Sequence, residues 1–185
     1  MMTLRKAVSL LISGLCLLTL VGCEVKTSAR MESGPSFSLD GSGRLASFTV
    51  YAPQPGRKIA TPNDMKSEVW SFRLASGNSR GEMVANMRLL YGKVPAGYMQ
   101  TAPSNGAVSA LPPGLVYFFI AETTGAPWAH GFFYMDQNKP IPINVPDLCP
   151  SAFVGNVKPV RCGTSEPYVE PKDLEKFVQE NRVQK

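Results

Sequence analysis

A single histidine, His130, bounds the acid–base chemistry open to this 185-residue chain. It lies in Thr123-Thr-Gly-Ala-Pro-Trp-Ala-His-Gly131, two residues after Trp128 and close to Gly125 and Pro127. Hydrolysis by a serine needs a positioned general base. The chain carries no Gly-x-Ser-x-Gly elbow to present a nucleophile, and one histidine does not define a Ser/His/Asp grouping. It has no Gly-x-Gly-x-x-Gly fingerprint or phosphate loop. Its acidic residues are scattered, without the spacing of a glycosidase pair or a calcium loop. We therefore expect no catalytic residue, no metal and no cofactor. Recognition is better supported, because aromatic residues on a loop held by a rigid scaffold are a common binding device. Trp128 and His130 form the first candidate; the alternative is that Trp128 caps one end of the fold and His130 faces water. Tyr91-Gly-Lys-Val-Pro-Ala-Gly-Tyr98-Met-Gln100 is the second, with Tyr91 and Tyr98 flanking a Pro/Gly bend. It also reads as a well-packed connection.

The N-terminus decides where such a surface would operate. Arg5 and Lys6 precede an apolar run, Ala7 to Leu20, which ends at Leu20-Val21-Gly22-Cys23. A basic start, a short apolar stretch and a small-residue cleavage site are the parts of a secretory signal. The run falls short of the roughly 20 apolar residues that span a bilayer. Leu-Val-Gly-Cys resembles the lipobox of bacterial lipoproteins, in which the cysteine after a small residue receives a diacylglycerol thioether. The resemblance covers the leader only. It implies that residues 1–22 are removed, that Cys23 is the lipidated N-terminus and that two or three acyl chains, palmitate among them, hold the protein on a membrane. Residue 24 is Glu, not the Asp that often retains lipoproteins at the inner membrane. In a Gram-negative cell this points to the outer membrane, facing the periplasm.

On that reading Cys16 leaves with the leader and lipid takes Cys23, so Cys149 and Cys162 remain as an even pair in an oxidising compartment. A disulfide closing so short a loop contributes roughly 3 kcal/mol in the loop-entropy model. A metal pair would lack partners, since no other cysteine and only one histidine remain. Removing 22 residues from 185 leaves 163, the size of one domain, with 17 basic against 14 acidic side chains, a formal +3. The basic residues are dispersed, so the clustered footprint of a nucleic-acid binder is absent and no nucleic-acid partner is expected.

The elements that must position these residues are read from periodicity. Residues 23–44 are polar and rich in Gly and Ser, and read as a flexible tether; alternatively, Phe37 and Leu39 begin a first strand. From residue 45 to 185 short apolar segments alternate with Gly/Pro clusters, as in a single domain. Leu45–Tyr51 is rich in strand formers, and Val69–Leu74 alternates, with Trp70, Phe72 and Leu74 on one face. A further strand is expected within Met83–Val94. Leu115–Ala121 is nearly continuous, as in a strand covered on both faces. Gly131–Asp136 turns through Gln137 and Asn138 into Ile141–Val145, which Pro140, Pro142 and Pro146 confine to a sheet edge. This spacing predicts an all-β antiparallel sandwich, Ig-like or related. One C-terminal helix starts near Pro171, with Leu174, Phe177, Val178 and Val183 as its apolar stripe and Arg182 and Lys185 near its end. It would either dock a partner or fold over the edge of the sandwich.

The YGKVPAGY segment and the LPPGLVYFF strand resemble small envelope lipoproteins of unassigned function, which implies a class but no activity. The expectation is a non-enzymatic, membrane-anchored binding or structural module whose partner is another envelope protein or a cell-wall component. Two other readings stay open. One is a lipoprotein subunit of a secretion or pilus apparatus. The other is an inhibitor of an envelope-attacking enzyme such as lysozyme, which mutual positive charge would disfavour.

Overall fold

Among the described residues nine strands and one helix follow in order: β1 (Ser28–Met31), β2 (Ser36–Asp40), β3 (Arg44–Tyr51), β4 (Glu68–Leu74), β5 (Met87–Leu90), β6 (Tyr98–Ala102), β7 (Val116–Thr124), β8 (Ala129–Asp136), β9 (Lys139–Ile143) and α1 (Leu174–Glu180). The structure, a computed structural model, describes residues 26–32, 34–61, 67–78, 80–146, 148 and 168–183. The strands form a three-stranded sheet, β1-β2-β5, and a six-stranded sheet, β6-β4-β3-β7-β8-β9, and every pairing within them is antiparallel. This is the expected all-β sandwich with a short C-terminal helix. Its division of strands is more lopsided than the four and three of an immunoglobulin constant domain.

Strand β7 shows why the larger sheet needs cover on both sides. Tyr117, Phe119 and Ala121 face the small sheet, while Val116, Phe118 and Ile120 face the opposite way, and all six are buried. Side chains alternate along a strand, so a continuous apolar run serves two cores. In the first core, Phe48, Trp70, Phe72, Phe119 and Phe133 of the large sheet meet Met31, Phe37, Leu39 and Leu89 of the small one. The alternation read in Val69–Leu74 is realised: Trp70 and Phe72 are fully buried, Leu74 packs beside them, and Arg73 is exposed.

The region read as a tether is a correction. Residues 28–31 and 36–40 are strands, and Phe37 and Leu39 are fully buried. Phe37 is the hub of the first core, with ring centroids 4.7 Å from Phe48, 5.0 Å from Phe119, 5.9 Å from Phe133 and 6.2 Å from Trp70. Averaged over residues 23–44 the composition is polar. Yet Met31, Phe37 and Leu39 all point one way, because β1 and β2 pair with Met31 opposite Phe37. The folded domain therefore begins before residue 45.

The second core lies on the other face of the large sheet. Leu174 and Val178 of α1 are buried against a cluster that includes Tyr51, Val116, Phe118, Phe132 and Ile143, with Phe177 partly buried beside them. Asp173 caps the helix, its carboxylate accepting from the Lys176 N–H at 3.0 Å. Glu170 fixes the approach to the helix: its carboxylate accepts from Arg57 Nε at 3.2 Å and from the backbone N–H groups of Lys58 and Ile59, each at 3.1 Å. Ile59 in turn bridges Val116 of β7. The helix starts later and ends earlier than its stripe suggested. Pro171 precedes the cap, no basic residue lies in the last turn, and Val183 is exposed beyond the end. The residues after the helix seal the proline-bearing edge: Asn144 N–H donates to Asn181 O at 2.9 Å and Val183 N–H to Pro142 O at 3.1 Å. Within Met83–Val94 only Met87–Leu90 is a strand, and Met83 makes an isolated bridge to Arg44. Among the described residues no helix is long and apolar enough to cross a membrane.

If Phe37 holds the two sheets together, Phe37→Ala will lower the unfolding free energy by about 3–5 kcal/mol, the range for deleting a buried phenyl group. Urea denaturation checks this; a loss below about 1 kcal/mol would contradict the placement of Phe37 in the first core.

Candidate functional site

The hairpin joining β7 and β8 is stiffened from inside. The buried Thr123 hydroxyl reaches the carbonyls of Ala126, at 2.9 Å, and Pro127, at 3.2 Å. Gly125 takes a positive φ of 79° at the turn, a conformation that costs glycine little. Across the two strands Phe119 stands opposite Gly131, and a β-carbon on residue 131 would lie 2.7 Å from the phenyl ring. Glycine there lets the ring lie over the backbone of β8. The loop thus rests on a fixed base, and Trp128 emerges from it with 52% of its surface exposed.

Ala129 turns into the first core, so His130 points to the other face, opposite Ile120. Its ring lies 6.2 Å from Phe118, at the rim of the second core. Partial burial there, and next the ammonium of Lys26, hold the imidazole pKa below its ordinary value.

The facing wall is one that the sequence did not announce. Lys26, Thr27, Ser28 and Ala29 lie against Trp128, Ala129 and His130, and enclose an open groove of about 360 Å³. Thr27 is buried and its hydroxyl donates to Ser42 O at 2.7 Å, which fastens this wall before β1 begins. Trp128 and His130 line the same groove, with Lys26 as a third member. The signal for Lys26 lay in a segment whose average composition reads as linker, so its partner on β8 could not be inferred.

Tyr91 and Tyr98, the second candidate pair, take the other reading, that of a packed connection. The Tyr98 hydroxyl donates to Leu45 O at 2.8 Å and accepts from Glu82 N–H at 3.0 Å, and its ring meets Phe72 edge-on at 5.4 Å. Tyr91 packs edge-on against Trp70 at 5.3 Å, and its hydroxyl donates to Ser109 O at 3.1 Å. Burial pushes the Tyr91 phenol up to about 12, so it stays protonated. Tyr98 on β6 and His130 on β8 are four strand spacings apart in the sheet, about 19 Å, so the two candidates do not form one site. Cys23, Cys149 and Cys162 lie outside the described residues.

The described residues that line the groove supply one imidazole, one ammonium, one indole and the hydroxyls of Thr27 and Ser28, and no carboxylate is among them. It offers cation, hydrogen-bond and aromatic contacts. Among the described residues no group of three or more His, Cys, Asp or Glu side chains could hold a metal ion. A second, smaller hollow of about 170 Å³ on the small sheet is lined by Ser28, Arg30, Ser38, Asp40 and Asn86. Asp40 already accepts there from Gly41 N–H at 2.8 Å and Asn86 N–H at 3.4 Å. The chain matches no family model, no curated protein and no solved structure.

The groove geometry has a direct titration readout. His130 should titrate with a midpoint below 6.5 when followed by the NMR shift of its ring protons, and Lys26→Met should move that midpoint upward. Because the folded state resists protonating His130, its contribution to stability is lost as pH falls from about 6.5 through the lowered midpoint. A midpoint at or above 6.5, indifferent to Lys26→Met, would contradict the groove.

Proposed function

We propose that this protein is a lipid-anchored, non-enzymatic module of a bacterial cell envelope, and that the groove between Lys26 and Trp128 is its contact surface. Cys23 is the anchor, exported behind residues 1–22 and acylated. In a Gram-negative cell the domain sits at the outer membrane on the periplasmic side, and Cys149 and Cys162 close a disulfide near its C-terminus. The observation that carries this reading is Trp128, half exposed on a hairpin that Thr123 and Gly131 hold rigid. A large aromatic presented on a stiff base binds with little loss of conformational freedom. Among its described lining residues the groove combines that aromatic with a cation and an imidazole and has no carboxylate to orient a base, a composition suited to binding rather than turnover.

The test uses living cells producing the tagged full chain with a photo-crosslinking residue in place of Trp128 or, as a control, of Asn138. The expected result is one reproducible envelope adduct from position 128, absent from position 138 and lost together with membrane association in Cys23→Ser. Identical adducts from both positions, or unchanged membrane association of Cys23→Ser, would overturn the proposal.

A further inference from the structure

We propose that the groove of Lys26, Trp128 and His130 docks on the anionic headgroup layer of the same membrane that holds Cys23, so that the domain lies on the bilayer. This rests on the reading of Cys23 as the acylated residue and of the groove as the contact surface. Chain length limits how far the domain can stand from the anchor. Cys23 and Lys26 are three residues apart, which a fully extended chain spans in at most about 11 Å. No slack follows: Thr27 is tied to Ser42, and Ser28 already pairs with Asp40 in the small sheet. An acylated Cys23 would therefore bring the Lys26 wall to within about a headgroup's thickness of the acyl chains, in the zone that interfacial side chains enter to about 5–10 Å.

The side chains of the groove suit that position. Trp128 stands across the groove from Lys26 and is the only tryptophan exposed, Trp70 being fully buried. An indole combines a broad apolar ring with one N–H donor and prefers the membrane–water boundary. Lys26 adds a cation of the sign that anionic lipids attract. Among the described residues that line the groove there is no carboxylate to oppose that attraction. At the opposite end of β8, seven residues and about 24 Å from Ala129 along the strand, the Gln137–Asn138 turn would point away from the bilayer.

The experiment reconstitutes the full lipidated chain into vesicles of phosphatidylethanolamine and phosphatidylglycerol, with and without lipid that carries a bromine quencher high on its acyl chains. Flotation reads the anchor. Quenching of tryptophan emission, taken as the difference between the wild type and Trp128→Phe, reads the groove. The expected result is a floating protein that loses most of its Trp128 emission to the quencher, with weaker quenching in Lys26→Glu or when phosphatidylcholine replaces phosphatidylglycerol. N138W on the Trp128→Phe background should float and keep its emission. A protein that floats with Trp128 unquenched overturns the docking and leaves the anchor standing. One that does not float overturns both.

Discussion

The sandwich depends on one side chain. Phe37 stands where the small sheet crosses the large one, in ring contact with Phe48, Trp70, Phe119 and Phe133, which come from four adjacent strands of the larger sheet. Those four rings would otherwise form an apolar face of the kind that soluble monomers do not expose. The small sheet is short and its outer face is mostly polar, with Leu90 exposed among Ser28, Arg30, Ser38 and Arg88. Its value lies in holding Phe37, Leu39, Met31 and Leu89 against that face. Burying a phenyl group stabilises by about 1.5–3 kcal/mol, and each well-placed aromatic pair adds about 0.5–1.5 kcal/mol.

The same constraint places the candidate site. Because β2 must pair with β1 to keep Phe37 in register, the chain just before β1 is drawn alongside β8, and Lys26 comes to face Trp128. The other core is built separately, from α1, the Ile59 segment and Glu170, and it gives the rim on which His130 rests. The candidate recognition residues thus sit at the junction of both cores, on a hairpin braced by Thr123 and by the Phe119–Gly131 pair. An anchor at Cys23 would leave only Glu24 and Val25 between the lipid-bearing residue and Lys26. Where a tether would let the domain range freely, that spacing would hold it to one end.

Much of the larger sheet was legible because its strands carry strong local signals. Trp70, Phe72 and Leu74 repeat with period two, and Leu115–Ala121 is apolar throughout. Pro140 and Pro142 can occupy only an edge, which is where β9 lies. The small sheet was obscured because β1 and β2 have four and five residues and devote alternate positions to Ser, Arg and Asp. Phe37 and Leu39 were visible, but nothing local gives their long-range partners. The helix was found while its ends were not, since Val183 continues the stripe in sequence but follows the cap at Asn181. Of the candidate site, Trp128 and His130 were legible as aromatic and polar residues on a Gly/Pro loop. Lys26 was not, because it meets them only through the fold. Tyr91 and Tyr98 looked alike in sequence to exposed loop tyrosines. The carbonyl acceptors at Ser109 and Leu45 and the ring contacts with Trp70 and Phe72 reveal them as packing residues.

Amide hydrogen exchange of the full chain, resolved over residues 28–40 and over β7, tests most directly whether the domain begins ahead of residue 45. The account predicts that the paired amides of β1 and β2, at Arg30, Phe37 and Leu39 among them, are protected and exchange with the same cooperative unit as β7. Exchange over 28–40 at the rate of an unstructured peptide, while β7 stays protected, would contradict it and return that segment to the role of a linker.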